Sequence, residues 1–330
     1  MCIKDDAKEW VFFFGGSNLY LIPTTISIFC AFLLGYILNN VTQTSTSMSS
    51  KFIVLGNHDA TVRSIKPEDD SNLPYVMPNP FANGSIVFRD VKLEFWPDSQ
   101  PSWRGLSFHV QSGEKIGILG LPGSGKTAII GALYKLANLS QGSVYIGDVD
   151  IKTAPVDYVR SSIALVPQNP LMFSGTLRIN IDPMHRYSLR ELCESLEKVG
   201  IYQKIEDLPN LLETQTYYIE ERLSVQERQL LYVAQAVLRD PKILILEEPI
   251  EPVGTKDMFK VLDVVEQLFH CTILVVAHNM KYAAKCDRII IVKDGQVAEF
   301  DTPENLFRNP NSCFSQMLST SAENLLETEV

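Results

Sequence analysis

The chain has 330 residues, 45% hydrophobic and 21% charged, with a formal net charge of −10. Such a composition supports a buried core, and the acidic balance excludes the broad basic face of a nucleic-acid binder. It does not exclude phosphate ligands, which need local donors, not global positive charge. The six cysteines, at 2, 30, 193, 271, 286 and 313, lack metal-ligand spacing and are too sparse for a disulfide framework, so reduced thiols are expected.

Residues 1–18 form a flank that begins with mixed charge, and no charged residue occurs from Val11 to Ser50. Leu19 to Leu38 is a run of twenty mostly apolar residues, long enough to cross a bilayer core as a helix. A secretory signal would show a shorter apolar core, a basic start and a small-residue cleavage site. A membrane helix with its extension is therefore expected over 19–50, with Pro23 near one end. Lys51, Arg63 and Lys66 follow it, which favours a cytoplasmic C-terminal side. Residues 51–85 have a linker signature, with Asp69-Asp70-Ser71-Asn72 and prolines at 74, 78 and 80.

The main domain is expected over 86–318, and a loose polar tail over 319–330. Ile86 to Phe95 and Leu106 to Val110 suggest an antiparallel β portion. Lys115 to Leu119, Ile163 to Val166, Ile243 to Leu246 and Thr272 to Val276 are short apolar runs suited to strands covered on both faces. Helical patterns over Lys126 to Leu136, Val225 to Leu238 and Thr255 to Phe269 alternate with them. This order predicts an α/β core around a mainly parallel sheet.

Gly120-Leu121-Pro122-Gly123-Ser124-Gly125-Lys126-Thr127 fits G-x-x-x-x-G-K-[ST] between a strand and a helix, the context that pattern requires. Its glycines let backbone N–H groups point inward at phosphate oxygens, and the helix N-terminus adds a positive dipole end. Lys126 is expected to reach the β- and γ-phosphates, and Thr127 to ligate Mg²⁺. Farther on, Ile243 to Leu246 ends in Glu247 and Glu248. Such a pair at a strand end suits a metal ligand followed by a water-activating carboxylate. Taken alone, the two acids fit solvated strand termination equally well.

Several ordered segments then resemble the nucleotide-binding domain of ATP-binding-cassette transporters. Ala164 to Arg178, containing Pro167-Gln168, is similar to the Q-loop region. Leu223-Ser224-Val225-Gln226-Glu227-Arg228-Gln229 is similar to the signature stretch, and Val275-Val276-Ala277-His278 to the H-loop. Asp287-Arg288-Ile289, Gly295-Gln296-Val297 and Asp301-Thr302-Pro303 resemble the closing strands and helix. The resemblance covers about Ile86 to Leu318. Phe173 to Arg178, Ile181-Asp182-Pro183 and Ile205 to Pro209 resemble the second such domain of the multidrug resistance-associated proteins, subfamily C.

This resemblance implies a P-loop NTPase core with a mainly parallel sheet, an antiparallel β subdomain and a helical signature subdomain. It implies ATP and Mg²⁺ as ligands, with Phe95 stacking on adenine and Gly120, Pro122, Gly123, Ser124, Gly125, Lys126 and Thr127 around the phosphates. Thr127, Gln168 and Glu247 would hold the metal, and Glu248, His278 and Gln168 would serve hydrolysis. The implied partners are a second nucleotide-binding domain, paired head to tail, and transmembrane domains. The implied setting is a membrane exporter with this domain in the cytoplasm. The alternatives are an ATP-binding regulatory module without turnover and a transporter fragment without transport activity.

Three departures bear on catalysis. Glu247 replaces the family's usual Asp, and its extra methylene moves the carboxylate by about 1 Å. Val225-Gln226-Glu227 stands where the family shows two glycines and Gln, so a bulky side chain and a carboxylate are expected near the phosphate held by the opposite domain. Pro249-Ile250-Glu251-Pro252-Val253-Gly254 replaces the D-loop and is stiffened by two prolines.

Overall fold

The computed structural model describes residues 81, 83–94, 105–121, 123–248, 260–277, 282 and 285–318. The expected membrane helix, nearly all of the linker and the tail lie outside them. Among the described residues, no helix is long and apolar enough to cross a membrane.

The described strands form two sheets. The first has the order β2-β1-β4-β5, built from β1 (Ile86–Glu94), β2 (Leu106–Val110), β4 (Asn138–Ile146) and β5 (Val149–Asp150). All its pairings are antiparallel, as expected for this portion of the chain. Leu106, Phe108 and Val110 are buried and alternate with exposed residues, the pattern of a sheet with one covered face. Asp90 sits at φ 48°, where the β1 register shifts. This is a bulge that bends the strand.

The second sheet has the order β10-β9-β3-β8-β7-β6. Its parallel members are β3 (Lys115–Leu119), β6 (Ile163–Val166), β7 (Ile243–Glu247), β8 (Thr272–Val276) and β9 (Arg288–Lys293). Antiparallel β10 (Gln296–Asp301) closes one edge. Every residue of β7 and β8 is buried. Continuous apolar runs thus mark strands covered on both faces.

Helix α1 (Lys126–Leu133) follows β3 and stops three residues short of the expected Leu136. Lys135 there adopts φ 54°, which a right-handed helix excludes. Helix α2 (Val156–Ser162) leads into β6. Between β6 and β7 lies a helical portion of α3 (Leu177–Ile181), α4 (Leu189–Lys198), α5 (Tyr202–Glu206), a 3₁₀ turn (Leu211–Glu213), α6 (Thr216–Arg222) and α7 (Val225–Arg239). Helix α8 (Lys260–Leu268) precedes β8, and α9 (Pro303–Arg308) follows β10. The four described cysteines, 193, 271, 286 and 313, are free thiols.

One polar cluster joins the two sheets. Arg288 of β9 grips Glu114, at the turn before β3, with two N–H groups, one of them 2.8 Å from Oε2. It also donates to the carbonyl of His109 in β2 at 2.9 Å, and its guanidinium lies 4.0 Å from the ring centroid of Phe300. Burial alone would raise the Glu114 pKa. The Arg288 hydrogen bonds and the Gln111 backbone N–H outweigh it and hold the carboxyl below its usual range. A lowered folded-state pKa gives stability that is present above the unfolded value and lost as pH falls through the folded one. Glu114→Gln should therefore cost about 1 kcal/mol at pH 7. The gap to wild type should narrow as the pH drops toward about 4. Urea denaturation at several pH values checks this, and a gap independent of pH would contradict it.

Candidate functional site

Strand β3 is hydrogen-bonded on both sides and ends at Leu119, so the chain must turn out of the sheet at Gly120. A Cβ at Gly120 would meet the Val292 carbonyl oxygen at 2.3 Å and the Ser124 Oγ at 2.7 Å, so only glycine fits. The loop folds back through a Ser124 N–H to Leu121 carbonyl bond of 3.1 Å. It enters α1 at Gly125, the N-cap, in the left-handed region at φ 104°. Glycine brings no side-chain oxygen to that cap, and no acidic residue stands in the first turn. The N-terminal end of α1 therefore keeps the positive dipole character that favours an anion.

Two side chains complete the loop. Lys126 is 5% exposed and its Nζ donates to the carbonyls of Gly120, at 2.7 Å, and Leu121, at 3.0 Å. Burial pushes its pKa down to about 8, against the opposing pull of the nearby Glu248 charge. The Ser124 hydroxyl is buried with no hydrogen-bond partner. A buried orphan donor is costly, and a phosphate oxygen is an acceptor that would satisfy it. Thr127 is half-buried in the first turn of α1.

The second half of the site is set by register. Strand β8 pairs with β3 and β7 with β8, and this brings the carboxyl end of β7 to the same sheet edge as the loop. Glu247, the last residue of β7, pairs with Val276. Burial, and then the charge of Glu248, push its carboxyl up to about 7. Glu248 adopts φ 40°, an uncommon conformation for a side-chain-bearing residue, and its N–H donates to the Val276 carbonyl at 2.7 Å. That left-handed step turns the chain at the strand end. Adjacent carboxylates, one of them buried, are unfavourable unless a cation or a proton compensates. The oxygen donors of Glu247 and Thr127 suit a hard divalent ion.

Strand β6 pairs with β7 so that Val166 lies opposite Leu246. Two residues farther along, Gln168 donates from Nε2 to Glu248 Oε2 at 2.5 Å. Gln168, Glu248 and Lys126 are thus brought together, and Glu247 and Ser124 belong to the same edge. Phe95, Pro122, His278 and the 249–254 segment lie outside the described residues. Ala277, which precedes His278, is buried, and its N–H donates to the Ile118 carbonyl at 3.1 Å.

Two features escape a reading of the motifs. The first is Gln229 of α7, which holds the backbone of the Gln168 loop by two hydrogen bonds. The second lies at the start of α7. Ser224 is its N-cap and forms a reciprocal capping box with Glu227. The Ser224 N–H donates to Glu227 Oε2 at 2.9 Å, and the Glu227 N–H donates to Ser224 Oγ at 3.3 Å. Lys204 of α5 pairs with the other carboxylate oxygen at 2.5 Å. Burial would raise the Glu227 pKa, but the Lys204 and Ser224 hydrogen bonds prevail and hold it low. The Glu227 carboxylate is therefore committed to its own helix end. The S-x-x-E spacing that signals this box was present in the sequence.

Residues 103–251 match a family model described as ABC transporter. The chain is 33% identical over 276 residues to ABC transporter C family member 6 of Dictyostelium discoideum, covering 83% of this chain and 20% of the relative. It is 36% identical over 242 residues to C family member 14 of the same organism, covering 73% and 18%. It is also 33% identical over 309 residues to an oligomycin resistance ATP-dependent permease of Saccharomyces cerevisiae, covering 88% and 21%. The chain spans about a fifth of the length of these curated relatives. In fold it resembles a bacterial Atm1-family ABC exporter solved with ATP bound. The TM-score is 0.71 at 24% identity, covering 80% of this chain and 46% of that one.

The capping box carries its own energetic signature. Glu227→Ala should cost about 1 kcal/mol of unfolding free energy. Glu227→Gln keeps the reciprocal bonds, loses only the charge and should cost less. Equal stability of all three proteins in denaturant would show that the box contributes nothing.

Proposed function

The chain carries a nucleotide-binding domain of the ABC transporter family, of exporter type with C-family relatives, and we propose that it binds MgATP at the carboxyl end of β3 and hydrolyses it. ABC transporter domains are ATPases in general, and such domains bind ATP with Mg²⁺. The observation that carries the proposal for this chain is the union of three features at one edge. They are the glycine loop with its orphaned Ser124 hydroxyl, the Lys126 ammonium held over that loop, and the Glu247–Glu248 pair tied to Gln168.

In this reading the loop's backbone N–H groups, which Pro122 lacks, and the Ser124 hydroxyl donate to phosphate oxygens. Lys126 exchanges its two backbone carbonyl partners for the β- and γ-phosphates. Thr127, Glu247 and Gln168 hold the metal. Mg²⁺ there would spread the charge that builds on the transferred phosphoryl group. Glu248 accepts a proton from water as the water oxygen bonds to the γ-phosphorus and the bond to the ADP oxygen breaks. Gln168 fixes the Glu248 carboxylate through its hydrogen bond. His278 contacts the γ-phosphate, and Phe95 stacks on adenine.

The same reading assigns partners and place. The domain spans 86–318 and works head to tail with a second nucleotide-binding domain, and transmembrane domains complete the exporter. The 19–50 stretch anchors the chain in the membrane, and the domain lies in the cytoplasm. In a head-to-tail pair, each signature completes the other domain's site. Here the signature helix carries Gln226 and Glu227 and is capped by its own carboxylate. The site this chain completes for its partner is therefore the weaker one, while its own site depends on the partner's signature.

A second reading, an ATP-binding module without turnover, is favoured by one observation. Glu247, at the metal position, is the longer acid, and its extra methylene moves the carboxylate by about 1 Å.

Lys126→Ala should weaken ATP binding by about tenfold or more, measured by titration with a fluorescent ATP analogue. Unchanged affinity would refute the assignment of the site. Glu248→Gln should bind ATP normally and release phosphate about a hundredfold more slowly than wild type. Wild-type protein that binds ATP yet releases no phosphate, even when paired with a partner domain, would favour the second reading.

A further inference from the structure

Strand β6 is the edge of the parallel sheet and pairs only with β7 among the described strands. Beyond Val166 its backbone has no ladder partner on the outer side. That stretch contains Gln168, whose side chain must reach Glu248. The backbone there is held by a residue 61 positions away. Gln229 is fully buried, and its Nε2 donates to the Pro167 carbonyl at 3.0 Å and to the Gln168 carbonyl at 3.3 Å.

A primary amide suits this task. It carries two N–H donors on one nitrogen, and two successive carbonyls of an extended chain that leaves a sheet edge need donors. Glutamate, methionine or leucine would fill the same space without donating. The other end of the loop is tied separately. Asn180 of α3 accepts from the Phe173 N–H at 2.7 Å and donates to the Phe173 carbonyl at 3.0 Å. Gln229 thus holds the segment that bears Gln168, and Asn180 holds the segment five residues later.

We propose that Gln229 is a positioning residue for hydrolysis: it fixes the 167–168 backbone so that the Gln168 amide meets the Glu248 carboxylate. The inference rests on the ATPase reading above for its catalytic consequence, but the geometric link stands without it. Gln168 has a flexible side chain on a loop, and its 2.5 Å contact with Glu248 depends on where its own Cα is held. A shift of about 1 Å at a catalytic group is enough to lower a rate strongly. Gln229 meets the Pro167 and Gln168 carbonyls, and Gln168 in turn meets Glu248, so the effect of Gln229 on Glu248 passes through Gln168.

The experiment uses the full chain and the variants Q229M, Q168A and the double variant. Q229A, a second substitution that removes both donors and suits a helix interior, guards against a packing artefact of methionine. The first readout is hydrogen exchange without nucleotide. In Q229M and Q229A the amides of Gln168, Asn169, Leu171 and Met172 should exchange about tenfold faster, while those of β7 and β8 keep their protection. The second readout is steady-state phosphate release. Q229M should lower kcat by about tenfold and leave KM for ATP within about twofold. In the Q168A background the same substitution should cost less than about twofold, because the group it positions is gone.

A cost that persists undiminished in Q168A would show a general structural role and overturn the proposal, and so would unchanged exchange of the Gln168, Asn169, Leu171 and Met172 amides in both Gln229 variants. Wild-type protein without any turnover would refute the ATPase reading, and the exchange data alone would then decide for or against the Gln229 link.

Discussion

The exit of strand β3 from the sheet governs the rest of the site. Parallel β8 and β9 flank β3, and its final residue is buried, so the chain can leave only at Gly120, against the Val292 carbonyl. That tight exit forces the following residues into a loop that enters α1 N-terminus first. The helix dipole and Lys126 then converge on one small volume. The catalytic candidates from distant parts of the chain are placed relative to this point by strand register. Strand β8 aligns with β3, β7 with β8 and β6 with β7, and the last two steps carry the Glu247–Glu248 pair and Gln168 to the same edge.

The electrostatics of that edge are unbalanced in a way that calls for ligands. A buried ammonium has its pKa pulled down to about 8, and a buried carboxyl has its pKa pushed up to about 7. Both shifts arise because burial penalises charge that bulk water no longer solvates. A polyphosphate and a divalent cation would supply counter-charges to the two groups. The partnerless Ser124 hydroxyl adds an unmet hydrogen bond in the same loop. Strain agrees with this picture, since Glu248 holds a left-handed backbone that costs on the order of 1 kcal/mol and is seen mostly where function requires it.

Helix α7 connects this edge to the helical portion. Its N-terminus carries the signature residues, closed on themselves by the Ser224–Glu227 box and the Lys204 ion pair. One and a half turns later the same helix presents Gln229 to the Gln168 loop. One helix thus bears both the signature-like stretch and the residue that holds the Gln168 loop. Its capped end gives this domain an asymmetric character, with a complete phosphate loop and a signature that is stabilised internally.

Much of this was legible in the residues. The strands KIGIL, IALV and TILVV lie where their apolar runs begin and end, because strands covered on both faces need no polar alternation. The phosphate loop announced itself through spacing and context. Lys135 ended α1 early by a backbone conformation that no composition reveals. Glu227, expected beside the phosphate of the opposite domain, also caps its own helix. Its S-x-x-E spacing pointed to a helix cap, but the Lys204 pairing arises only in three dimensions. Gln229 ends the signature-like stretch, but nothing local pointed to its contacts, since its partners are set by a fold-level contact between a helix and a sheet edge. The central claim is that Lys126 lies against the phosphates of bound ATP. An acyl-phosphate derivative of ATP, which transfers its acyl group to an amine beside the phosphates, tests it directly by mass spectrometry. The account predicts acylation of Lys126 that excess ATP suppresses, and labelling spread over surface lysines and indifferent to ATP would contradict it.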